Sequence, residues 1–168
     1  MHPVEWPAGI GAKGNEGVAN NVINTKGSMG YVEYAYAIQN NMTTVSMINK
    51  DGKIVAPNAA AFQAAGANAD WEKAEGFYVI LTDQPGAASW PIAGATFILM
   101  YKQPQDPAAA TEALKFFSWA YAKGDKMAEE LAYVPMPKKV VAEIEKMWAR
   151  EIKDSSGKPL HVTSAMAQ

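Results

Sequence analysis

Cysteine is absent from this 168-residue chain. That removes thiol nucleophiles, disulfides and thiolate metal sites together. Arginine is nearly absent: of the 15 lysines and arginines only Arg150 is an arginine. The lysines are scattered without a run, and the net charge is -2, so no patch draws nucleic acid or an acidic membrane surface. Histidine occurs twice, as His2 and His161, with no acid or serine at useful spacing, so both read as surface residues. No group of histidines and acids has metal-ligand spacing, and no metal or other cofactor is expected. No stretch approaches the roughly 18 apolar residues that cross a bilayer, which argues against membrane insertion. The opening Met1-His2-Pro3-Val4-Glu5-Trp6-Pro7 lacks the basic region and apolar core of a signal peptide. Either such a signal has been removed or the chain starts within a longer one.

What is present is ordinary for a folded protein: 49% hydrophobic and 19% charged residues, enough for a real core. The opening to Gly14 is loop. Asn15 is read as the N-cap of a short helix from Glu16 to about Asn24, with Val18 and Val22 on one face and Gly27 as its stop. Gly30-Tyr31-Val32-Glu33-Tyr34 and Thr44-Val45-Ser46-Met47-Ile48 read as strands, with a helical turn from Ala35 to Asn40 between them. Asn49-Lys50-Asp51-Gly52 favours a turn. Asn58 caps a helix from Ala59 to Ala65 that Gly66 ends. Trp71 to Gly76 reads as a short helical or irregular piece, and Phe77 to Thr82 as a strand. The apolar run Thr96-Phe97-Ile98-Leu99-Met100-Tyr101 predicts a strand buried on both sides. Asp106 and Pro107 open a helix to about Ala122 whose inner face carries Ala113, Phe116, Phe117 and Ala120. A helix from Asp125 to Leu131 follows Gly124. Pro135 and Pro137 precede a third, Lys138 to Ile152, with a stripe of Val141, Ile144, Trp148 and Ile152. Asp154 to Pro159 forms a polar turn. Strands mixed with helices make the fold class α/β.

Four stretches carry a family resemblance. They are Trp6-Pro7-Ala8-Gly9-Ile10-Gly11-Ala12-Lys13-Gly14-Asn15-Glu16-Gly17-Val18; Gly30-Tyr31-Val32-Glu33-Tyr34-Ala35-Tyr36; Ser89-Trp90-Pro91-Ile92 running into Thr96-Phe97-Ile98-Leu99; and Ile152-Lys153-Asp154-Ser155-Ser156-Gly157-Lys158-Pro159-Leu160. Leu114-Lys115-Phe116-Phe117-Ser118-Trp119-Ala120-Tyr121 also fits. Together they resemble the phosphate-binding protein of the Pst-type ABC transporter, from about Trp6 to Leu160. The resemblance implies a partial periplasmic-binding-protein-like fold of type II. Residues 1–92 would form part of the second lobe. Residues 93–168 would be the C-terminal return segment of the first lobe, with a helical tail. It also implies a periplasmic binding component with two partners: inorganic phosphate, taken up between the lobes, and the membrane permease that receives it.

The family's phosphate ligands come mostly from a Thr-Phe pair, from a serine and an aspartate, and from an arginine followed by a Ser-Gly-Thr turn. All of these lie upstream of the matched stretches. None is present here, and Arg150 stands in another context, on an amphipathic helix. A buried phosphate site favours a bidentate arginine, so the gripping residues are expected to lie outside this chain. No ligand residue is carried over. Within the chain, Lys13, Gly14 and Asn15 offer N–H groups at a helix start to an anion. The alternative is a capped helix whose glycines permit the turn. Glu33 is a cleft candidate, but a carboxylate beside a phosphate dianion needs a shared proton; the alternative is an ordinary polar strand residue. Tyr31, Tyr34 and Tyr36 have no basic companions, which favours packing over base stacking. The expected function is phosphate binding for import, and the chain is read as no enzyme. The rival readings are a phosphatase-like enzyme of the same family, for which no nucleophile stands beside a base, and a module that only docks other proteins.

Overall fold

Strong caps and short apolar periodicities make this chain a set of helices joined by long connectors. The computed structural model describes residues 6–160. His2, His161 and the tail to Gln168 lie outside the described residues. The chain divides into two units, Met1–Thr44 and Val45–Gln168.

In the first unit, α1 (Gly14–Asn24) is followed by α2 (Tyr34–Gln39). The predicted Val18/Val22 face holds. Gly30 lies against it so closely that a Cβ there would come within 2.8 Å of Val22 and 2.9 Å of Val18. Absence of a side chain is what lets the connector cross the helix. Gly27, just past the helix, adopts a φ of 79°, as its reading as a stop requires. The cap was misread, however. Lys13 occupies the N-cap position without a side-chain bond, and Asn15 is already inside the helix. Residues 30–33 form no strand, because no second segment pairs with them among the described residues.

The second unit opens with a hairpin of β1 (Met47–Ile48) and β2 (Ile54–Val55), paired antiparallel with Met47 opposite Val55 and Ile48 opposite Ile54. Gly52 supplies a φ of 71° in its turn. Asn58 caps α3 (Ala59–Asn68), its side chain accepting the Ala61 N–H at 2.9 Å. Gly66 does not end this helix. It is buried inside it, where a Cβ would meet Pro137 at an ordinary 3.6 Å, and the Trp71 indole N–H donates to its carbonyl at 2.7 Å. A single 3-10 turn, Glu75–Phe77, overlaps the end of the segment read as short helical or irregular.

Three helices complete the unit: α4 (Pro107–Lys123), α5 (Asp125–Glu130) and α6 (Lys138–Glu151). Asp106 caps α4 by accepting the Ala109 N–H at 3.0 Å, with Pro107 in the first turn, as predicted. The buried face of α4 is centred on Ala110 and Leu114, with Phe117 and Tyr121 half-buried. Phe116 instead stacks on Trp119 on the outer surface, so the expected inner face was rotated. The α6 stripe is Val140, Ile144, Trp148 and Ile152, with Val141 only half-buried. A spacing of four keeps these side chains in register with α3 and α4. They join Ala61, Ala65, Trp71, Leu81, Trp90 and Leu114 in one core. Each large apolar side chain buried there stabilises by about 1.5–3 kcal/mol. After α6, Asp154 accepts from the Ser156 N–H at 2.8 Å, the Ser156 hydroxyl at 2.6 Å and the Lys158 N–H at 2.9 Å, which closes the predicted polar turn.

Two strand expectations fail here. Residues 77–82 contribute only an isolated bridge, Thr82 to Ile92. The run 96–101, expected to be buried on both sides, is mostly exposed; Leu99 is 92% accessible. Its composition favours a ladder, but among the described residues no segment lies alongside to pair with it.

Candidate functional site

The structure brings the sequence candidates together at one end of the first unit. Asn15 Oδ1 accepts the Glu33 backbone N–H at 2.8 Å, so the start of α1 is tied to the residue preceding α2. Lys13 and Glu33 are exposed, and Asn15 is half-buried. Gly14 begins α1 with a φ of 68°, in the left-handed region that favours glycine. Glu16, in the first turn, projects a carboxylate over this helix end. It accepts its own backbone N–H, and the Tyr36 hydroxyl donates to it at 3.0 Å. Both bonds lower the Glu16 pKa, the backbone bond more than the tyrosine. The negative end-group that a helix N-terminus favours is therefore supplied by the chain itself. A second anion would have to displace Glu16 or sit beside it.

The second unit holds a polar cluster that sequence reasoning did not pick out. Asn49 is buried at 6% exposure and uses both ends of its amide. Its Nδ2 donates to the carbonyls of Gly86 at 3.0 Å, Ala87 at 3.1 Å and Ser89 at 3.2 Å. Its Oδ1 accepts from the N–H groups of Asp51 at 3.1 Å and Lys53 at 2.9 Å. Ser89 is fully buried; its hydroxyl donates to the Pro85 carbonyl at 2.6 Å and accepts from Asn68 Nδ2 at 3.1 Å. Trp90, also buried, donates its backbone N–H to Ala61 O at 3.1 Å and meets Phe62 edge-on. Ser89-Trp90-Pro91 is thus a structural lock between the hairpin, α3 and the 84–91 connector. The advance signals were Asn49 at the head of an Asp-Gly turn and Ser89-Trp90-Pro91 among the stretches that carry the resemblance.

A cavity of about 160 Å³ lies where the end of α3 approaches α6, lined by Asp70, Trp71, Glu72, Lys139, Val140 and Glu143. Among the described residues no group of three or more acids and histidines is placed to hold a metal. Arg150 lies on α6, where its Nε donates to Glu151 at 2.8 Å. The lone arginine is therefore an exposed surface group rather than part of a buried anion site.

A family model describing a PBP superfamily domain matches residues 4–123. The chain belongs to the PBP superfamily. It is 49% identical over 157 residues to the phosphate-binding protein PstS of Pasteurella multocida, covering 94% of this chain and 46% of that protein. It is 49% identical over 150 residues to the PstS of Xylella fastidiosa strain 9a5c, covering 89% of this chain and 41% of the relative. The Haemophilus influenzae PstS is 46% identical over 89% of this chain and 45% of its own length. The chain thus spans less than half the length of these curated relatives. Among the described residues no helix is long and apolar enough to cross a membrane.

Proposed function

We propose that this chain is part of the substrate-binding component of a phosphate-importing ABC transporter, working outside the inner membrane in the periplasm. The observation that carries the reading is 49% identity across 94% of the chain to a protein named for binding phosphate. In the complete receptor two lobes would close over a desolvated anion, and this chain would contribute to their walls. The receptor would hand phosphate to a membrane permease, and the chain would have no catalytic role. Lys13, Gly14, Asn15 and Glu33 would lie at the rim of the cleft rather than grip the anion. Glu16 already occupies the start of α1, and Arg150 is committed to Glu151 on the surface.

Calorimetric titration of the 168-residue chain with phosphate near neutral pH tests this division of labour. The expected result is very weak binding or none. Micromolar or tighter affinity would show that a gripping site lies within the chain. Turnover of a chromogenic phosphate ester, lost when a single nucleophile is replaced, would instead favour an enzyme.

A further inference from the structure

Asp51-Gly52 is the one Asp-Gly pair in the sequence, and no Asn-Gly pair occurs. An Asp-Gly link is chemically weak near neutral pH. With no side chain on the glycine, its backbone nitrogen can reach the aspartate Cγ and close a five-membered succinimide. Space does not forbid that here. Both residues are exposed, and a Cβ at Gly52 would meet nothing within 4 Å among the described residues. Hydrogen bonds do forbid it. The Gly52 N–H donates to the Asn49 carbonyl at 2.9 Å, which commits the nitrogen that would attack. The Gly86 N–H donates to Asp51 Oδ2 at 3.2 Å, which holds the carboxyl against the 84–91 connector. The N–H groups of Asp51 and Lys53 both end on Asn49 Oδ1 and fix the backbone on either side. Asn49 is itself anchored through Nδ2 to the connector carbonyls. The connector cannot shift locally to suit, because Gly86 has a φ of 111° and a Cβ there would collide with the Asn68 amide.

We propose that Asp51-Gly52 is a latent self-modification site, kept closed by the contact between the hairpin turn and the 84–91 connector. When the connector lifts, Asp51 Oδ2 and Asn49 Nδ2 lose their anchors together. The Gly52 nitrogen gives its proton to solvent and bonds to Asp51 Cγ, and one carboxyl oxygen leaves as water. Water then reopens the ring at either carbonyl. Attack at the main-chain carbonyl of Asp51 leaves the chain running through the former side chain, an isoaspartyl link with one extra backbone carbon. No oxidant, metal or enzyme takes part, and the mass returns to its starting value. The longer backbone moves Lys53 away from Asn49, so the two N–H groups no longer match Oδ1 and the contact does not re-form as it was. Asp154, the other aspartate before a small residue, is better protected. Serine follows it, and its Oδ1 accepts from three donors. The inference depends neither on the family assignment nor on phosphate.

The test is to hold the 168-residue chain near neutral pH at body temperature for weeks. Isoaspartate at position 51 is then followed by peptide mapping with electron-transfer fragmentation. A synthetic peptide of residues 46–56 gives the rate without the fold. The folded chain is expected to react at least about tenfold more slowly than the peptide, because only its open fraction reacts. Asn49→Ala, which unties the turn from the connector, raises the rate by about tenfold. Ile144→Val loosens the core without touching the turn and leaves the rate at the parent value. In the parent chain, low urea should raise isomerisation and hydrogen exchange of the Gly86 amide in parallel, and this readout decides the matter if Asn49→Ala does not fold. The proposal is overturned if the folded chain reacts as fast as the peptide, or if Asn49→Ala reacts as the parent does. It is also overturned if Ile144→Val accelerates the reaction as much as Asn49→Ala, for then only global unfolding exposes the pair. Isomerisation that does not follow Gly86 exchange overturns it as well.

Discussion

Asn49 shows how much one side chain can organise when both of its polar ends are used. A short amide joins the hairpin turn to carbonyls 37 to 40 residues away. Asn49→Ala takes the Asn49 bond from the Ala87 and Ser89 carbonyls and from the Asp51 and Lys53 N–H groups, while the Gly86 carbonyl keeps the Ser89 N–H. With unmade buried bonds costing about 1–3 kcal/mol each, and some groups able to rehydrate, the expected loss is about 2–4 kcal/mol, read from the shift in a urea midpoint. Asn49→Asp, although nearly isosteric, should be more damaging. It sets carboxylate oxygens against three carbonyl oxygens and removes the donor. If the alanine variant were the less stable of the two, the donor role of Nδ2 would be wrong. The sequence made Asn49 legible as a turn residue only, because its partners are remote in sequence. The same limit applies to Asn15. An asparagine before an apolar face looks like a cap, yet this one is committed to Glu33, eighteen positions on.

Elements with local causes were the legible ones. Asp106 with Pro107, Asn58 before an alanine-rich stretch, and the four-residue stripe of α6 each specify a helix from neighbours within one or two turns. Of the strands only β1, at the end of the 44–48 run, was legible. A ladder depends on a partner segment, and the runs at 30–34, 77–82 and 96–101 have suitable residues without one. The end of α6 also carries a pH dependence. Glu151 is an acid in the last turn, where the helix dipole opposes it, yet hydrogen bonds from Lys102 and then Arg150 pull its pKa from 4.5 to about 2. A carboxyl depressed in the folded state stabilises fully above its unfolded pKa, and that contribution is lost as pH falls from about 4.5 towards 2. Glu151→Gln should therefore flatten the acid limb of stability between pH 5 and pH 2, measured as denaturation midpoint against pH. Part of the slope should remain, because Asp154, depressed by its bonds to Ser156 and Lys158, titrates in the same direction. An unchanged limb would mean that the Lys102 contact contributes nothing in solution.

At the scale of the molecule, membership of the PBP superfamily was readable from motifs in order along the chain, and the α/β class from helices mixed with strand-like runs. Packing could be read only in part. Trp148 of the α6 stripe is buried against Phe117 and Tyr121 of α4. The 96–101 run, by contrast, stays open. The second unit therefore has a core of its own.

The placement of the five tryptophans gives the protein a built-in optical gauge. Trp71, Trp90 and Trp148 lie in the core of the second unit, whereas Trp6 and Trp119 are open to water. Emission excited at the indole band should separate into a blue, acrylamide-resistant portion and a red portion that quenches readily. Loosening of the α3, α4 and α6 interior would convert the first into the second, without any added dye.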